Sequence, residues 1–229
     1  DFKQSLKEIS VIGIGDLGSK GITALFWFYL AAIILPSQYG EIHYFLSIAA
    51  IVSTFSLIGT QNSLTVYFAK NNSVVSTLFF ISAIGSIVSF FVIFFIYDRF
   101  DIGLLVIGNV IFTLGISSLL GTKNFKKYSI ISIIQKILMV TFSITAYYLL
   151  GVEWILLGIS LSYFVYSKLI IDGIKRYKID FLNLKRNKNF ISSNYFLMLT
   201  NILTAQIDKL LIVPILGLTV LGNYALAEQ

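Results

Sequence analysis

Residues 74–97 read Val-Val-Ser-Thr-Leu-Phe-Phe-Ile-Ser-Ala-Ile-Gly-Ser-Ile-Val-Ser-Phe-Phe-Val-Ile-Phe-Phe-Ile-Tyr, a run without one charged side chain. A helix needs about 20 mainly apolar residues to cross a bilayer, and this run supplies them. A soluble core would break it with polar positions every turn or two. Working outward, the pattern recurs. Toward the C-terminus, Asp98-Arg99-Phe100-Asp101 separates it from a span over Ile102 to Gly121. Lys123, Lys126 and Lys127 precede a span from Ser129 to Leu150, and a tight Gly151-Val152-Glu153 turn leads to another, Trp154 to Ile171. A basic stretch from Lys175 to Lys188 precedes the last span, Asn189 to Leu216. Toward the N-terminus, Lys70-Asn71-Asn72 closes a span from Ile42 to Phe68. Pro36-Ser37-Gln38-Tyr39-Gly40 reads as a turn, with proline and glycine interrupting the helix. Before it lie a span over Val11 to Leu35 and an amphipathic lead, Asp1 to Ser10. The expected fold is all-α, a polytopic transmembrane helical bundle of about seven spans.

Composition agrees. Of 229 residues, 57% are hydrophobic and 12% charged, with a mean hydropathy of +0.86. A soluble domain carries roughly twice that charged fraction. The net charge of +6 does not indicate nucleic acid, because most basic residues fall in short segments between apolar runs. The absence of Cys excludes disulfides, thiolate metal sites and cysteine nucleophiles, and one histidine, His43, cannot form a His-based metal cluster. His43 is expected at the outer interface as a solvated or interfacial side chain. No cleavable signal peptide is visible, and no catalytic residue, metal or cofactor is assigned.

Alternate loops differ sharply in charge. One set holds Lys3, Lys7, Lys70, Lys123, Lys126, Lys127, Lys175, Arg176, Lys178, Lys185, Arg186 and Lys188. The opposite set holds Glu41, Asp98, Arg99, Asp101 and Glu153. The positive-inside rule therefore predicts a multi-pass protein of the cytoplasmic membrane with its N-terminus in the cytoplasm. The longest and most basic loop, 175–188, reads as a cytoplasmic linker. It follows a six-helix N-terminal lobe, 1–174, and precedes the first helix of an incomplete second lobe, 189–229. The chain lacks an initiating Met and stops directly after a span. It is therefore expected to be an N-terminal fragment of a longer transporter-like protein, with the rest of the second lobe as its partner and no transport of its own.

Lipid tails offer polar groups no partners, so polar residues inside spans turn toward other helices or a wet cavity. In the first span Asp16, Lys20, Thr23 and Trp27 share a face by four-three-four spacing. Ser53, Ser56, Thr60, Ser63 and Tyr67 do so in the second, with Gln61 and Asn62 alongside. The fifth shows Ser132, Lys136, Met139, Ser143 and Tyr147, and the seventh Asn194, Asn201 and Asp208, with Thr204 on the same side. Small polar stripes in spans three and four (Ser82, Ser86, Ser89; Asn109, Thr113, Ser117) suit close helix packing. Charges are harder to dismiss. Lys136 lies about two turns inside its span, where a lysine costs about 2.5 to 3.5 kcal/mol on insertion scales. A wet, protein-lined cavity explains it better than snorkelling. Asp16 and Lys20 are one turn apart and suit mutual neutralisation or a functional role about equally. Lys168 and Asp172 have that spacing near a span end and suit neutralisation. Asp208 and Lys209, neighbours deep in a span, need not pair.

Several motifs carry a resemblance. Leu35-Pro36-Ser37-Gln38-Tyr39-Gly40 resembles the "L-G-P-x-x-Y-G" turn of polysaccharide and lipid-linked oligosaccharide flippases. Leu57-Ile58-Gly59-Thr60-Gln61-Asn62, continuing to Tyr67-Phe68-Ala69-Lys70, resembles their second span. Gln206-Ile207-Asp208-Lys209-Leu210, then Leu216-Gly217, Val220, Gly222-Asn223-Tyr224-Ala225 and Ala227, resembles their seventh-span signature. These flippases belong to the multidrug/oligosaccharidyl-lipid/polysaccharide exporter superfamily. Two departures stand out: Ala31-Ala32 where an Arg is frequent, and Tyr67 near a position where a basic residue is common. The resemblance implies two facing lobes and alternating access, with a lipid-linked glycan as substrate, membrane lipids as surroundings and no nucleic acid.

Such a substrate joins a phosphate or diphosphate to a bulky polar glycan, so its path needs fixed positive charge and hydrogen-bonding groups. Lys20, Lys136 and Lys209 are the candidates for the charge, and Gln61, Asn62 and Asn201 for the hydrogen bonds. Asp16 and Asp208 would keep neighbouring lysines ionised or bind a coupling cation. Three alternatives stay open. A cation-coupled multidrug exporter would favour an acidic cavity. A membrane-embedded glycan polymerase or glycosyltransferase would need sizeable outer loops. A noncatalytic scaffold would have no use for intramembrane charge. The expectation is a transporter and not an enzyme.

Overall fold

The computed structural model describes residues 2–57 and 61–228, with side chains from Ser10 onward. Thr60 and the side chains of Lys3 and Lys7 lie outside the described residues. Among those described, all regular structure is helical. The elements are α1 (Phe2–Ile33), α2 (Pro36–Ser56), α3 (Gln61–Ala69), α4 (Val74–Tyr97), α5 (Phe100–Gly121) and α6 (Phe125–Leu150). Then come α7 (Ile155–Ser162), α8 (Ser167–Lys175), α9 (Phe181–Arg186), α10 (Lys188–Leu216) and α11 (Leu218–Ala227). Short 3-10 turns at Val152–Trp154 and Tyr163–Tyr166 join α7 and α8 into one 24-residue rod, Val152–Lys175.

Among the described residues, five rods are long and apolar enough to cross a membrane: α4, α5, α6, Val152–Lys175 and α10. The expected second span is two helices, α2 and α3, inclined at 46° to each other, and counts as a sixth if taken together. The expected first span is not among them. At 32 residues α1 is long enough, but Asp16 and Lys20 interrupt its apolar stretch. The lead from Phe2 to Ser10 is the first part of α1, not a separate segment.

The turn expected at Pro36–Gly40 is helical instead. The chain breaks only at Ile34–Leu35, and Pro36 opens α2, where its missing N–H and fixed φ cost nothing. Leu35, extended as a residue before proline prefers, donates its N–H to Gln38 Oε1 at 3.0 Å. Gly40 then serves packing. A side chain there would fall 2.0 Å from the Leu218 carbonyl oxygen, and one on Gly222 of α11 would fall 1.9 Å from that of Pro36. Two glycines thus let α2 and α11 touch backbone to backbone.

Helix α5 is the hub and the most buried of the five rods, whereas α10 buries only Ile191 among the described residues. The hub contacts α2, α3, α4 and the Val152–Lys175 rod, while α1 lies along α6 and α10 and α11 lie on α2. The stripes of small polar residues meet each other: Ser56 Oγ donates to Ser89 Oγ at 2.8 Å. Gly85 sits against the Ser56 backbone, and Ser82, Ser86 and Ser117 are buried.

The two sets of loops gather at opposite ends of α4. At one end Arg176 donates to Asn71 Oδ1 at 3.0 Å, lies 5.4 Å from the Phe68 ring, and shares a recess with Lys123. At the other, Arg99 donates to both carboxylate oxygens of Asp101 (2.9 and 2.8 Å), to Glu41 Oε1 (3.2 Å) and to the Glu153 carbonyl (3.1 Å). The bond to Asp101 holds the Arg99 guanidinium above its ordinary pKa, outweighing the opposing effect of burial. His43 corrects the sequence reading. It is 7% exposed, its ring 4.6 Å from Trp27 and 4.7 Å from Tyr39. Tyr39 and His43, four apart, face α1 together, so His43 belongs to a buried aromatic cluster and not to solvent.

Candidate functional site

The four-residue spacing of α1 and α6 generates one site. Asp16, Ser19, Lys20 and Thr23 line one wall, Tyr128, Ser132, Gln135 and Lys136 the other, and Phe112 and Ile116 of α5 close the back. Together they line an open-sided cavity of about 460 Å³. Two contacts pin its walls: Ser129 Oγ donates to the Val11 carbonyl at 2.7 Å, and Tyr128 Oη donates to Asp16 Oδ1 at 2.7 Å. The second is charge-assisted and ties the only carboxylate of the cavity to α6.

The cations are not tied. No ion pair joins Asp16 to Lys20, although they stand one turn apart; the ion pairs among the described residues are those of Arg99 and Lys209. Lys136 Nζ lies 5.8 Å from the centre of the Phe112 ring, where the π-face offers a cation modest stabilisation without consuming a donor. Gln135 is fully buried: its Nε2 donates to Ser162 Oγ at 2.8 Å, while its Oε1 has no partner. Ser19 Oγ is likewise buried without one. Unmet hydrogen bonds and two unpaired ammonium groups beside a cavity constitute an anion-receptive, hydroxyl-receptive surface.

The structure thus brings together Asp16, Lys20 and Lys136, and leaves the other candidates elsewhere. Lys209 Nζ pairs with Glu228 at 2.9 Å, and Asp208 accepts from Tyr224 Oη and from the Lys209 backbone N–H, where α10 meets α11. Gln61 and Asn62 begin α3, and Asn201 is exposed on α10. Lys168 and Asp172 form no ion pair either. Sequence reasoning passed over Tyr128 and Gln135. Extending the Ser132–Lys136 stripe back one turn reaches Tyr128, and Gln135 is the next residue to Lys136.

A bundle of helices long and apolar enough to cross a bilayer marks a multi-pass membrane protein. The family described as polysaccharide biosynthesis protein matches residues 5–229, and the chain belongs to that family. No curated protein and no solved structure matches it.

Proposed function

We propose that the protein is a flippase, a transporter and not an enzyme, that moves lipid-linked oligosaccharide or polysaccharide precursors across the cytoplasmic membrane by alternating access. Its N-terminus lies in the cytoplasm, because the basic loops gather at one end of the bundle and the acidic loops at the other. The observation that carries the reading is the pair of unpaired lysines, Lys20 and Lys136, in one cavity. A lipid-linked phosphate or diphosphate is the anion a membrane delivers to such a place, and Gln135, Ser19 and Thr23 are suited to the hydroxyls of a glycan.

A cation-coupled drug exporter is the rival within the same superfamily. It fits less well, since two ammonium groups face one carboxylate that already accepts from Tyr128. The test is transport by the full-length protein in proteoliposomes, offered a fluorescent polyprenyl-diphosphate-linked saccharide or a cationic dye. Protein-dependent translocation of the saccharide alone supports the reading. Dye efflux driven by an ion gradient, without saccharide translocation, refutes it.

A further inference from the structure

The segment from Lys178 to Lys188 holds α9, which turns two apolar side chains, Phe181 and Leu182, outward. Asn183 and Asn187, four apart, point into the protein with Leu184, while the Asp180 carboxylate caps the helix by accepting from the Leu182 and Asn183 N–H groups. The Asp180 N–H donates to Thr77 Oγ1 at 2.9 Å, and Asn183 Nδ2 donates to Asn72 Oδ1 (3.1 Å) and Ser73 Oγ (2.7 Å). Tyr67 Oη donates to Asn187 Oδ1 at 3.3 Å. Ile179, Phe181 and Leu182 face outward, exposed at 41%, 57% and 72%. Lys178, Lys185, Arg186 and Lys188 are exposed around them. Apolar side chains turned outward among lysines and arginines suit the boundary between acyl chains and headgroups.

A groove of about 330 Å³ opens there between α9 and α10. Phe181, Leu184, Ile191 and Tyr195 form its apolar wall, and Lys185 and Lys188 stand at it. Lys188 is also the first residue of α10, one of the rods apolar enough to cross the membrane, which sets the groove at headgroup depth. We infer that this groove binds an anionic glycerophospholipid, its acyl chain against Phe181, Leu184, Ile191 and Tyr195 and its phosphate between Lys185 and Lys188. The site is separate from the α1/α6 cavity and does not depend on the transport reading. Basic residues beside a membrane select anionic over zwitterionic lipid, whereas an apolar groove alone would hold either.

The test is native mass spectrometry of the full-length protein in detergent, with dioleoyl phosphatidylglycerol or dioleoyl phosphatidylcholine added. The expected result is a retention preference for phosphatidylglycerol of roughly thirtyfold, the weight of two lysines near an anionic surface. Lys185→Ala with Lys188→Ala abolishes that preference, while Lys126→Ala with Lys127→Ala leaves it intact and controls for loss of folding. Ser192→Trp, which fills the groove, lowers retention of both lipids. Equal retention by the unaltered protein, or a preference surviving in the Lys185/Lys188 variant, overturns the inference. Displacement of phosphatidylglycerol by equimolar polyprenyl phosphate would assign the groove to transported cargo and overturn it too.

Discussion

Replacing Arg99 by Gln tests the outer clamp, and the structure sets the size of the effect. Arg99 holds Asp101 through both carboxylate oxygens, and the Asp101 side chain is only 6% exposed. Removing one partner of a buried pair costs roughly 3–5 kcal/mol, because the other charge stays behind uncompensated. Arg99 itself is 24% exposed, so water reaches one side of the pair and the lower end applies, about 3 kcal/mol. Glu41 bonds the same guanidinium but is 41% exposed, so Glu41→Gln costs at most about 1 kcal/mol. Unfolding in mixed micelles, followed by loss of helical circular dichroism as sodium dodecyl sulfate is raised, measures both. Asp101→Asn in the Arg99→Gln background should recover most of the loss, since it removes the stranded charge. Equal costs for Arg99→Gln and Glu41→Gln, or no recovery in the double variant, would refute the reasoning.

Other consequences can be checked alongside. Tyr128→Phe removes a charge-assisted bond between α1 and α6 and should cost roughly 1.5–3 kcal/mol in the same titration; Asp16→Asn, which keeps an acceptor, should cost less. Gly222→Ala places a methyl group on the Pro36 carbonyl with only backbone to give way, so it should lower stability by about 1–3 kcal/mol. Ala at Gly21, which has open space around it, should not. His43→Leu should preserve the apolar packing against Trp27 and Tyr39 and leave stability within about 1.5 kcal/mol of the unaltered protein, whereas His43→Ala should open a cavity and cost more.

The legible parts of the fold are those decided by hydropathy alone. The run from Val74 to Tyr97 is α4 to the residue, and α5, α6 and α10 end at Gly121, Leu150 and Leu216 as expected. Position relative to other helices was not legible. Gly40 is a turn former by composition, and only the backbone of α11 lying across it explains why glycine is needed within a helix. His43 reads as a solvated or interfacial residue, yet Trp27 comes from another helix to cover it. The cavity was half legible. Helical spacing placed Asp16 with Lys20, and Ser132 with Lys136, but no spacing within one helix reveals that α1 lies along α6. Nor does it reveal that Tyr128, rather than Lys20, satisfies Asp16.

The central claim is that Lys20 and Lys136 together hold an anionic cargo group in the α1/α6 cavity. It is tested most directly by initial rates of saccharide-lipid translocation in proteoliposomes, comparing the full-length protein with its Lys20→Ala, Lys136→Ala and doubly substituted forms at matched reconstitution. A charge-assisted contact contributes about 1.5 kcal/mol or more. The account therefore predicts at least roughly a tenfold loss for Lys136→Ala, and a larger one when Lys20 is replaced as well. Unchanged translocation by the doubly substituted protein would contradict it.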